Sequence, residues 1–474
     1  VMHAFRDTGD SVTELWGFIP DSLIGLLDDF RKNIATSDQS SIVPPGYGID
    51  GPLQLFEIRT GSTGKRLLVF GMRRGGNDYY ALDVTDVENP SLLWKIAGGS
   101  DAFPRLGQTW GTPRLTRLAM FGDTPLLIFP GGYDPLQDAT TGGRQDDTTA
   151  NAIYVVDALS GSRLASISSS GADLDIGDMR NAIAADLSLV DLDSNGTTDR
   201  IYAADTGGRI IRIDFNGDGS GMSGGVVADI NDGDVAGNRR FFNRPVLAYM
   251  GDHLAITIGS GRRPYLFETG VSDRFYMIRD FDVWSAPVDS DSDGKPDYPH
   301  LTGPMLSDHT AGENATTENG WFLDLAHAGM DGSGNPVLAR EKSVTKAVVY
   351  DGVVYFNTLS SSKEFKDVSC GPSATSVSSF FYAVDIETGN AAIAGFDGNA
   401  EVLDPVADRS RTMKTRAIPE SPFVYTGYTR VPGDNGEDIL VPLDVAPITP
   451  GIGEQAESRP NRYRAVYWES AIGD

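Results

Sequence analysis

A short apolar run, a turn rich in Asp, Gly, Ser or Thr, and a second apolar run recur along this chain. Six copies of this unit begin at Met2, Tyr79, Ile153, Ile201, Phe275 and Phe381. Two apolar runs joined by turn residues predict a β-hairpin. The spacing between copies is uneven, so we expect insertions to decorate a repeated core.

Further strand-like runs lie between the copies and bring each unit to about four strands. They begin at Arg66, Thr124, Leu254 and Lys346, and 55 Gly and 26 Pro residues punctuate them. Repeated four-stranded sheets are typical of a β-propeller. We therefore predict an all-β fold, a modified β-propeller of about seven blades, with six or eight blades as alternatives. The run from Tyr463 is expected to complete a blade with the N-terminal strand.

The units fill the chain without a convincing linker, which predicts a single propeller domain over 1–474. Gly, Asp and Asn are concentrated at 136–150, 216–240 and 307–337, which predicts long loops. Short helices are expected to be few, and an amphipathic one is predicted from Asp21, where an Asp cap precedes spaced apolar residues. Because the chain begins inside a strand-like run, we expect it to be the C-terminal part of a longer protein.

Composition excludes several classes of function. The net charge of −27 argues against nucleic acid and anionic membrane surfaces as partners. Cys370 is the only cysteine, which excludes an internal disulfide and a cysteine-based zinc site. No apolar run is long enough for a transmembrane helix, and no signal-peptide pattern is present.

The loop at 191–199 places oxygen-bearing groups at alternate positions around Gly196. Its candidate ligands are the side chains of Asp191, Asp193, Asn195 and Asp199 and the carbonyl of Thr197. Alternate oxygens around a glycine turn match the first nine positions of an EF-hand loop, which binds Ca²⁺. The twelfth position holds Tyr202 in place of the usual Glu, so Asp199 must supply the closing carboxylate. An Asx-turn without metal is the alternative.

A second loop at 289–297 repeats this spacing. Its candidate ligands are the side chains of Asp289, Asp291, Asp293 and Asp297 and the carbonyl of Lys295. Four carboxylates this close repel one another unless a cation neutralises them, and a solvated acidic turn is the alternative. A third group, Asp214, Asn216 and Asp218, has Met222 at the ninth position, and we interpret it as a turn.

Signals of catalysis are absent from the sequence. The five histidines are scattered and form no paired motif, so we predict no catalytic residue. The Gly-rich run from Ile258 is followed by no helical pattern and is interpreted as a turn. Four tryptophans are expected to pack within the blades: Trp16, Trp94, Trp110 and Trp321.

Several segments resemble the C-terminal propeller domain of the PilY/PilC family of type IV pilus biogenesis factors and tip-associated adhesins. They read MHAFRDTGDSVTELWGFIP, YYALDVTD, VDLDSNGTTDRIYAADTGGRIIRIDF, IGSGRRPYLFETGVSDRFYMIRD and KAVVYDGVVYFNTLS. The resemblance extends in order over nearly the whole chain. It implies a seven-bladed modified propeller and a Ca²⁺ site on the 191–199 loop. The family's ligands fall on Asp191, Asp193, Asn195, Thr197 and Asp199.

The same resemblance implies a function at the cell surface. Calcium occupancy would support pilus extension over retraction, and so affect twitching motility and attachment. Expected partners are minor pilins and the tip complex, with a host or abiotic surface as a further one. The expected location is the periplasm, outer membrane or pilus tip. The chain holds no Arg-Gly-Asp tripeptide, so integrin recognition by that motif is not supported.

Two other classes of propeller remain as alternatives. Runs such as TGDSVTELW and ALSGSRLASI resemble the repeats of quinoprotein dehydrogenases, but a single cysteine excludes their adjacent-cysteine disulfide. An integrin-α-like propeller would carry calcium loops in several consecutive blades, whereas two convincing loops are present here.

Overall fold

The computed structural model describes most of the chain as short strands joined by turns. The described residues are 1–32, 47–60, 63–139, 142–266, 268, 270–292, 294–312, 318–330, 336–361, 377–396, 398–399, 402–413, 419, 421–425, 428–432, 438–442 and 446–448. Cys370, Asp293 and the run from Tyr463 lie outside them, so the expected blade closure is outside the described residues as well.

The strands of the first half are β1 Met2–Asp7, β2 Val12–Phe18, β3 Leu53–Thr60, β4 Thr63–Gly71, β5 Asp78–Asp83, β6 Ser91–Ala97, β7 Arg114–Thr116, β8 Leu126–Pro130, β9 Ala152–Asp157, β10 Arg163–Ser168, β11 Leu174–Asp175, β12 Ser188–Val190, β13 Arg200–Ala204, β14 Arg209–Phe215 and β15 Met222–Asp229.

The strands of the second half are β16 Val246–Tyr249, β17 Leu254–Gly259, β18 Arg274–Asp280, β19 Leu301–Thr302, β20 Ser307–Asp308, β21 Gly320–Asp324, β22 Ala326–Met330, β23 Pro336–Ser343, β24 Val348–Tyr350, β25 Val353–Ser361, β26 Val377–Asp385, β27 Ser410–Thr412, β28 Phe423–Tyr425, β29 Tyr428–Pro432, β30 Asp438–Pro442 and β31 Ala446–Ile448. The described helices are α1 Leu27–Lys32, α2 Leu136–Ala139 and the 3₁₀ turns Asp21–Leu26, Arg73–Gly75, Ala119–Phe121, Arg263–Tyr265, Gly303–Met305 and Ala407–Arg409. None of them is long and apolar enough to cross a membrane.

Five sheets of four or more strands follow one another along the chain. They are β3–β6, β7–β11, β12–β15 with β19, β16–β18 with β21 and β20, and β22–β27. Neighbouring strands are mostly antiparallel, and short parallel strands (β11, β19 and β20) extend three of the sheets. This arrangement confirms the predicted four-stranded repeat.

Each sheet packs its face against the next sheet in the chain. One core joins the second and third sheets through Ile128 and Ile211, and the following core joins the third and fourth through Ile210 and Ile256. Two further cores join the first sheet to the second and the fourth to the fifth. Face-to-face packing of successive sheets is the arrangement of propeller blades.

Strand β13 shows why these sheets read as continuous apolar runs. Ile201 and Ala203 pack toward the second sheet, whereas Tyr202 and Ala204 pack toward the fourth. Successive side chains point to opposite faces of a strand. Because neighbouring blades cover both faces, apolar residues stand at four consecutive positions of β13, 201 to 204.

Two tryptophan side chains form hydrogen bonds between neighbouring blades. The Trp94 indole N–H donates to the Ala158 carbonyl at 2.9 Å, and the Trp321 indole N–H donates to the Ile386 carbonyl at 2.9 Å. Gly161, at φ +68°, lies against the Trp94 ring, where a Cβ would come within 2.9 Å of it. These contacts agree with the predicted blade packing for both tryptophans.

One of the six predicted hairpins is wrong, and another is formed only by a short pairing. Strand β18, from the copy at Phe275, pairs with β21 across an insertion, and the apolar residues that follow β18 form no strand. Strand β26, from the copy at Phe381, pairs with β27, and the residues after its turn also fold back on it, with Val384 opposite Ala391.

The predicted loops and helix also need correction. Strand β15 lies inside the predicted loop 216–240, and β20, β21, β22 and the start of β23 lie inside 307–337. Their Gly and Asp content is typical of loops, but these segments pair with neighbouring strands. The helix expected from Asp21 begins as a 3₁₀ turn, in which Leu23 is buried but Ile24 is 60% exposed.

Candidate metal centre

The 191–199 loop joins β12 to β13 in the third sheet. The Asp199 N–H donates to the Val190 carbonyl at 2.8 Å and closes the base of the loop. The next contact ties it to the second sheet: the Thr198 N–H donates to the Arg117 carbonyl at 2.8 Å, and the Thr198 and Thr116 hydroxyls lie 2.7 Å apart. The loop is therefore anchored between two blades.

Backbone turns direct amide hydrogens into the loop. Ser194 and Gly196 adopt φ values of +59° and +85°, in the left-handed region that Gly tolerates best. The N–H groups of Asn195 and Gly196 donate to the two oxygens of Asp191, at 3.1 and 2.8 Å. Asx-type bonds of this kind fix the first carboxylate of the loop.

Three of the predicted ligands converge. Asp191, Asp193 and Asp199 each offer a carboxylate oxygen, and these atoms all lie within 4.8 Å of one another. Burial, and then the neighbouring charges of Asp193 and Asp191, raise the pKa of the Asp199 carboxyl, although the Leu192 N–H donates to it at 2.7 Å. A raised carboxyl pKa shows that the charged form is disfavoured here unless a cation is present.

The predicted ligand Asn195 faces elsewhere. Its Oδ1 accepts the Thr197 N–H at 2.7 Å, and its Nδ2 donates to Asp193 at 2.9 Å. Rotation about its side-chain torsions is needed before Oδ1 joins the carboxylates. The three carboxylates alone suit a hard divalent cation that prefers oxygen ligands, so the donor set fits Ca²⁺.

The 289–297 loop has the same backbone geometry. Ser292 and Gly294 adopt φ values of +64° and +89°. The Gly294 N–H donates to Asp289 at 2.9 Å, and the Ser290 N–H donates to Asp297 at 2.8 Å, as their counterparts do in the first loop. Carboxylate oxygens of Asp289, Asp291 and Asp297 lie within 4.8 Å of one another.

The second loop differs in the state of its closing carboxylate. Asp297 is exposed, and hydrogen bonds from the Ser290 hydroxyl and N–H lower the pKa of its carboxyl. Its charge is thus already stabilised without a cation. Asp293 lies outside the described residues, and Lys295 is exposed on the loop.

The third acidic group is a turn, as interpreted from the sequence. The Ser220 N–H donates to Asp218 at 2.8 Å, and the Asn216 amide donates to the Ser220 hydroxyl at 2.9 Å. Asp214 points away from this turn into the interior of the sheet, where it accepts from Arg200 at 2.6 Å and Arg212 at 2.8 Å.

A buried charge network at this place was missed by sequence reasoning. Arg212 and Asp280 have fully buried side chains and form an ion pair at 2.9 Å between the third and fourth sheets. The Tyr202 hydroxyl also donates to Asp280, at 2.5 Å. The available signal was the occurrence of Arg and Asp at alternate positions of an otherwise apolar strand, β14.

The same network lies between the two acidic loops. Arg200 directly follows Asp199, and Tyr298 directly follows Asp297. Arg200 and Tyr298 both contact the Asp214 carboxylate, at 2.6 and 2.9 Å. A single buried carboxylate therefore contacts the residue that follows each loop.

Stacked four-stranded sheets and an oxygen-lined loop of EF-hand spacing define a β-propeller domain with a candidate calcium site. A family model described as the PilY1 beta-propeller domain matches residues 1–244, about half of the chain. The chain belongs to this family, which confirms the resemblance and the propeller fold.

Relatives and a solved structure agree with this assignment. A type IV pilus biogenesis factor PilY1 homologue of Xylella fastidiosa is 24% identical over 94% of this chain, and PilY1 of Pseudomonas aeruginosa is 27% identical over 45% of it. The chain spans 30% and 16% of their lengths. The crystal structure of the P. aeruginosa PilY1 C-terminal domain matches with a TM-score of 0.57 and 19% identity, covering 97% of this chain and 90% of that one, and so shares its fold.

Proposed function

We propose that this chain is the calcium-binding propeller of a type IV pilus biogenesis factor. Membership of the PilY1 propeller family supports the pilus role, since its curated relatives are named as pilus biogenesis factors and not as enzymes. The convergence of Asp191, Asp193 and Asp199 on one anchored loop carries the calcium assignment.

Calcium changes the energy of this loop in a definite direction. Without a cation, Asp199 is partly buried beside two other carboxylates, and burial, followed by repulsion from those two charges, raises the pKa of its carboxyl. A bound Ca²⁺ replaces the repulsion by attraction and draws the loop together. An ion that binds one arrangement better than another shifts the population toward it.

The position of the loop explains how a change in calcium occupancy would affect a binding partner. Thr198 fastens the end of the loop to the second sheet through Thr116 and Arg117. A partner that binds across these two blades would therefore respond to calcium. In this role, occupancy favours pilus extension over retraction, and with it twitching motility and attachment to a host or abiotic surface.

The same proposal extends to the binding partners of the protein and to its location. Minor pilins and other components of the tip complex are the partners, and the periplasm, outer membrane or pilus tip is the location. The ligands proposed for the 191–199 loop are the five groups named from its spacing, and the 289–297 loop is proposed as a second, weaker site.

Calorimetric titration of Ca²⁺ into chelator-stripped protein tests the site. Asp199→Ala removes the closing carboxylate. Coulomb's law at a dielectric constant of about 80 gives about 3.5 kcal/mol for Ca²⁺ and one carboxylate charge about 2.4 Å apart, which is a loss of about 300-fold in affinity. Asp218→Ala, in the turn of the same sheet, is the matched control and should bind as wild type does.

A second variant, Asp297→Ala, distinguishes calcium binding at the second loop from binding at the first. If wild type shows one site and only Asp199→Ala loses it, a single ion binds in the first loop. If wild type shows two sites and each variant loses one of them, each loop binds its own ion. An Asp199→Ala protein that retains wild-type affinity at this loop would contradict the assignment.

Regulation is tested in the full-length protein in its own bacterium. We expect Asp199→Ala to reduce surface pili and twitching motility, whereas Asp218→Ala should not. If calorimetry shows the site lost while pili and twitching remain at wild-type levels, calcium binds but does not regulate the pilus.

A further inference from the structure

A cavity of about 640 Å³ lies where successive sheets meet. Five of its lining residues stand two or three positions before the first strand of a sheet: Asp50, Thr112, Asp186, Arg244 and Ser421. A sixth, Lys346, stands two positions before β24 of the fifth sheet. Equivalent positions of successive blades approach one another only around the common axis of a propeller. The cavity is therefore axial, and it is separate from both acidic loops.

The cavity gathers positive charge in an acidic protein. Arg73 and Arg263, on the connections that follow β4 and β17, join Arg244 and Lys346 in its wall. Two carboxylates also line it, and one of these, Asp186, already accepts the Thr112 N–H at 2.7 Å. Four cationic groups against two carboxylates contrast with a chain whose net charge is −27.

Two arginine doublets contribute to this wall, and only one member of each is paired. Arg74 forms an ion pair with Asp138 at 2.7 Å, and Arg262 forms one with Glu268 at 3.1 Å. Among the described residues, no carboxylate lies within ion-pair distance of the other two members, Arg73 and Arg263, which face the cavity.

The two facing arginines act on each other. Confinement in the cavity wall, and then the charge of Arg73, lower the pKa of the Arg263 guanidinium, although the Asp186 carboxylate in the same wall opposes this shift. Like charges brought together in this way favour the binding of an anion between them. Guanidinium groups bind carboxylate and phosphate oxygens through pairs of parallel N–H donors.

Arg73 is also held in position before any ligand arrives. Its backbone adopts φ +50°, where a non-glycine residue is uncommon. The Thr109 carbonyl accepts its N–H at 3.2 Å, and the guanidinium lies 5.2 Å from the centre of the Trp110 ring. This placement corrects the prediction for Trp110, whose ring lines the axial cavity beside Phe242.

We propose that the axial cavity binds a small organic oxyanion, with a carboxylate or phosphate group held between Arg73 and Arg263. The volume lies within the range of about 300–1,000 Å³ that small-molecule sites have. Trp110 and Phe242 supply an apolar wall for the carbon skeleton of the ligand, and Arg244 and Lys346 supply further positive charge.

Calorimetric titration of citrate and of inorganic phosphate tests this site on the whole chain, stripped of calcium because both probes chelate that ion. We expect saturable binding that weakens as NaCl is raised, since the attraction is electrostatic. Arg73→Gln and Arg263→Gln should each weaken binding at least tenfold, because each removes one charged donor group. Arg59→Gln, at an exposed arginine of β3, is the matched control and should change nothing.

The probes separate the two sources of the oxyanion. If only citrate binds, the ligand is a carboxylate. If only phosphate binds, the ligand carries a phosphate group. If both bind, the site recognises the oxyanion that the two probes share. Asp199→Ala should leave this binding unchanged, so the result is independent of the calcium proposal.

Arg263→Lys retains the charge without the paired donors and serves as a second variant if Arg263→Gln does not fold. The lysine variant should bind more weakly than wild type while melting at the same temperature. The proposal is overturned if neither probe binds at about 10 mM, or if the arginine variants bind as tightly as wild type.

Discussion

The ion pair between Arg212 and Asp280 offers a sharp test of what holds the third and fourth blades together. Both side chains are fully buried. Arg212 also contacts Asp214 at 2.8 Å, and Asp214 contacts Arg200 at 2.6 Å. These four side chains carry two positive and two negative charges, so the buried network is neutral. Asp280→Asn keeps the shape of the side chain but leaves the network with one uncompensated positive charge.

The magnitude follows from the geometry. Coulomb's law at an effective dielectric constant of about 20 gives a gross attraction of about 6 kcal/mol at the observed separation of 2.9 Å. Desolvation of the two ions offsets part of this, and loss of one partner of a buried pair usually costs about 3–5 kcal/mol. The new amide also presents donor hydrogens where Arg212 and Tyr202 both donate. We therefore expect the variant to lose about 3–5 kcal/mol in the free energy of unfolding.

Urea unfolding followed by tryptophan fluorescence measures this loss. Asp252→Asn, an exposed carboxylate in the turn between β16 and β17, is the matched control and should remain within about 0.5 kcal/mol of wild type. A second arm uses Arg212→Met, which should cost a similar amount because it leaves Asp280 unpaired.

The double variant tests the explanation itself. Asp280→Asn combined with Arg212→Met leaves Arg200 and Asp214 as a neutral pair. Its cost should therefore be smaller than the sum of the two single costs by about 2 kcal/mol or more. If the two costs simply add, or if Asp280→Asn is as stable as wild type, charge neutrality does not govern this interface.

Two further predictions concern the blades. Trp321→Phe should lower the free energy of unfolding by about 1–3 kcal/mol, because the Ile386 carbonyl loses its buried donor. The same urea assay measures this loss. The control is Trp284→Phe, at a tryptophan that is 65% exposed, and it should cost much less. Burial raises the pKa of the Asp205 carboxyl to about 6, so the folded state favours its protonated form, and the stability from this group is present below about pH 4 and lost as the pH rises through 6. Asp205→Asn should remove this part of the pH dependence in urea titrations between pH 4 and 7, and an unchanged pH profile would contradict it.

The two acidic loops could be predicted in detail because their information is local. Oxygen-bearing side chains at alternate positions and a central glycine determine both the spacing of the carboxylates and the left-handed turn at Gly196 and Gly294. The structure accordingly brings together three of the named carboxylates in each loop. The sequence could not place the Asn195 oxygen, because its direction depends on whether it accepts from Thr197 or turns toward the carboxylates.

The class of fold was also predictable, since short apolar runs broken by turn residues are a local pattern. Which strands pair with one another could not be predicted from the sequence. A strand such as β18 takes its next neighbour from whichever segment reaches its edge, and here β21 arrives across an insertion. Gly- and Asp-rich stretches likewise became strands at β15 and β21, where tertiary pairing outweighed their turn-forming composition.

The sequence by itself therefore determined the repeated strand unit, the family and the spacing of the carboxylates in both loops, because each of these is encoded within a few consecutive residues. Only the tertiary structure decided that Asp214 and Asp280 neutralise buried arginines and that Arg73 and Arg263 face one cavity. Asp280 pairs with an arginine of a different blade, and Arg73 and Arg263 follow strands of the first and fourth sheets, far apart in the chain. The buried network arises only when folding removes its charges from water, and the cavity arises only when successive blades meet around their common axis.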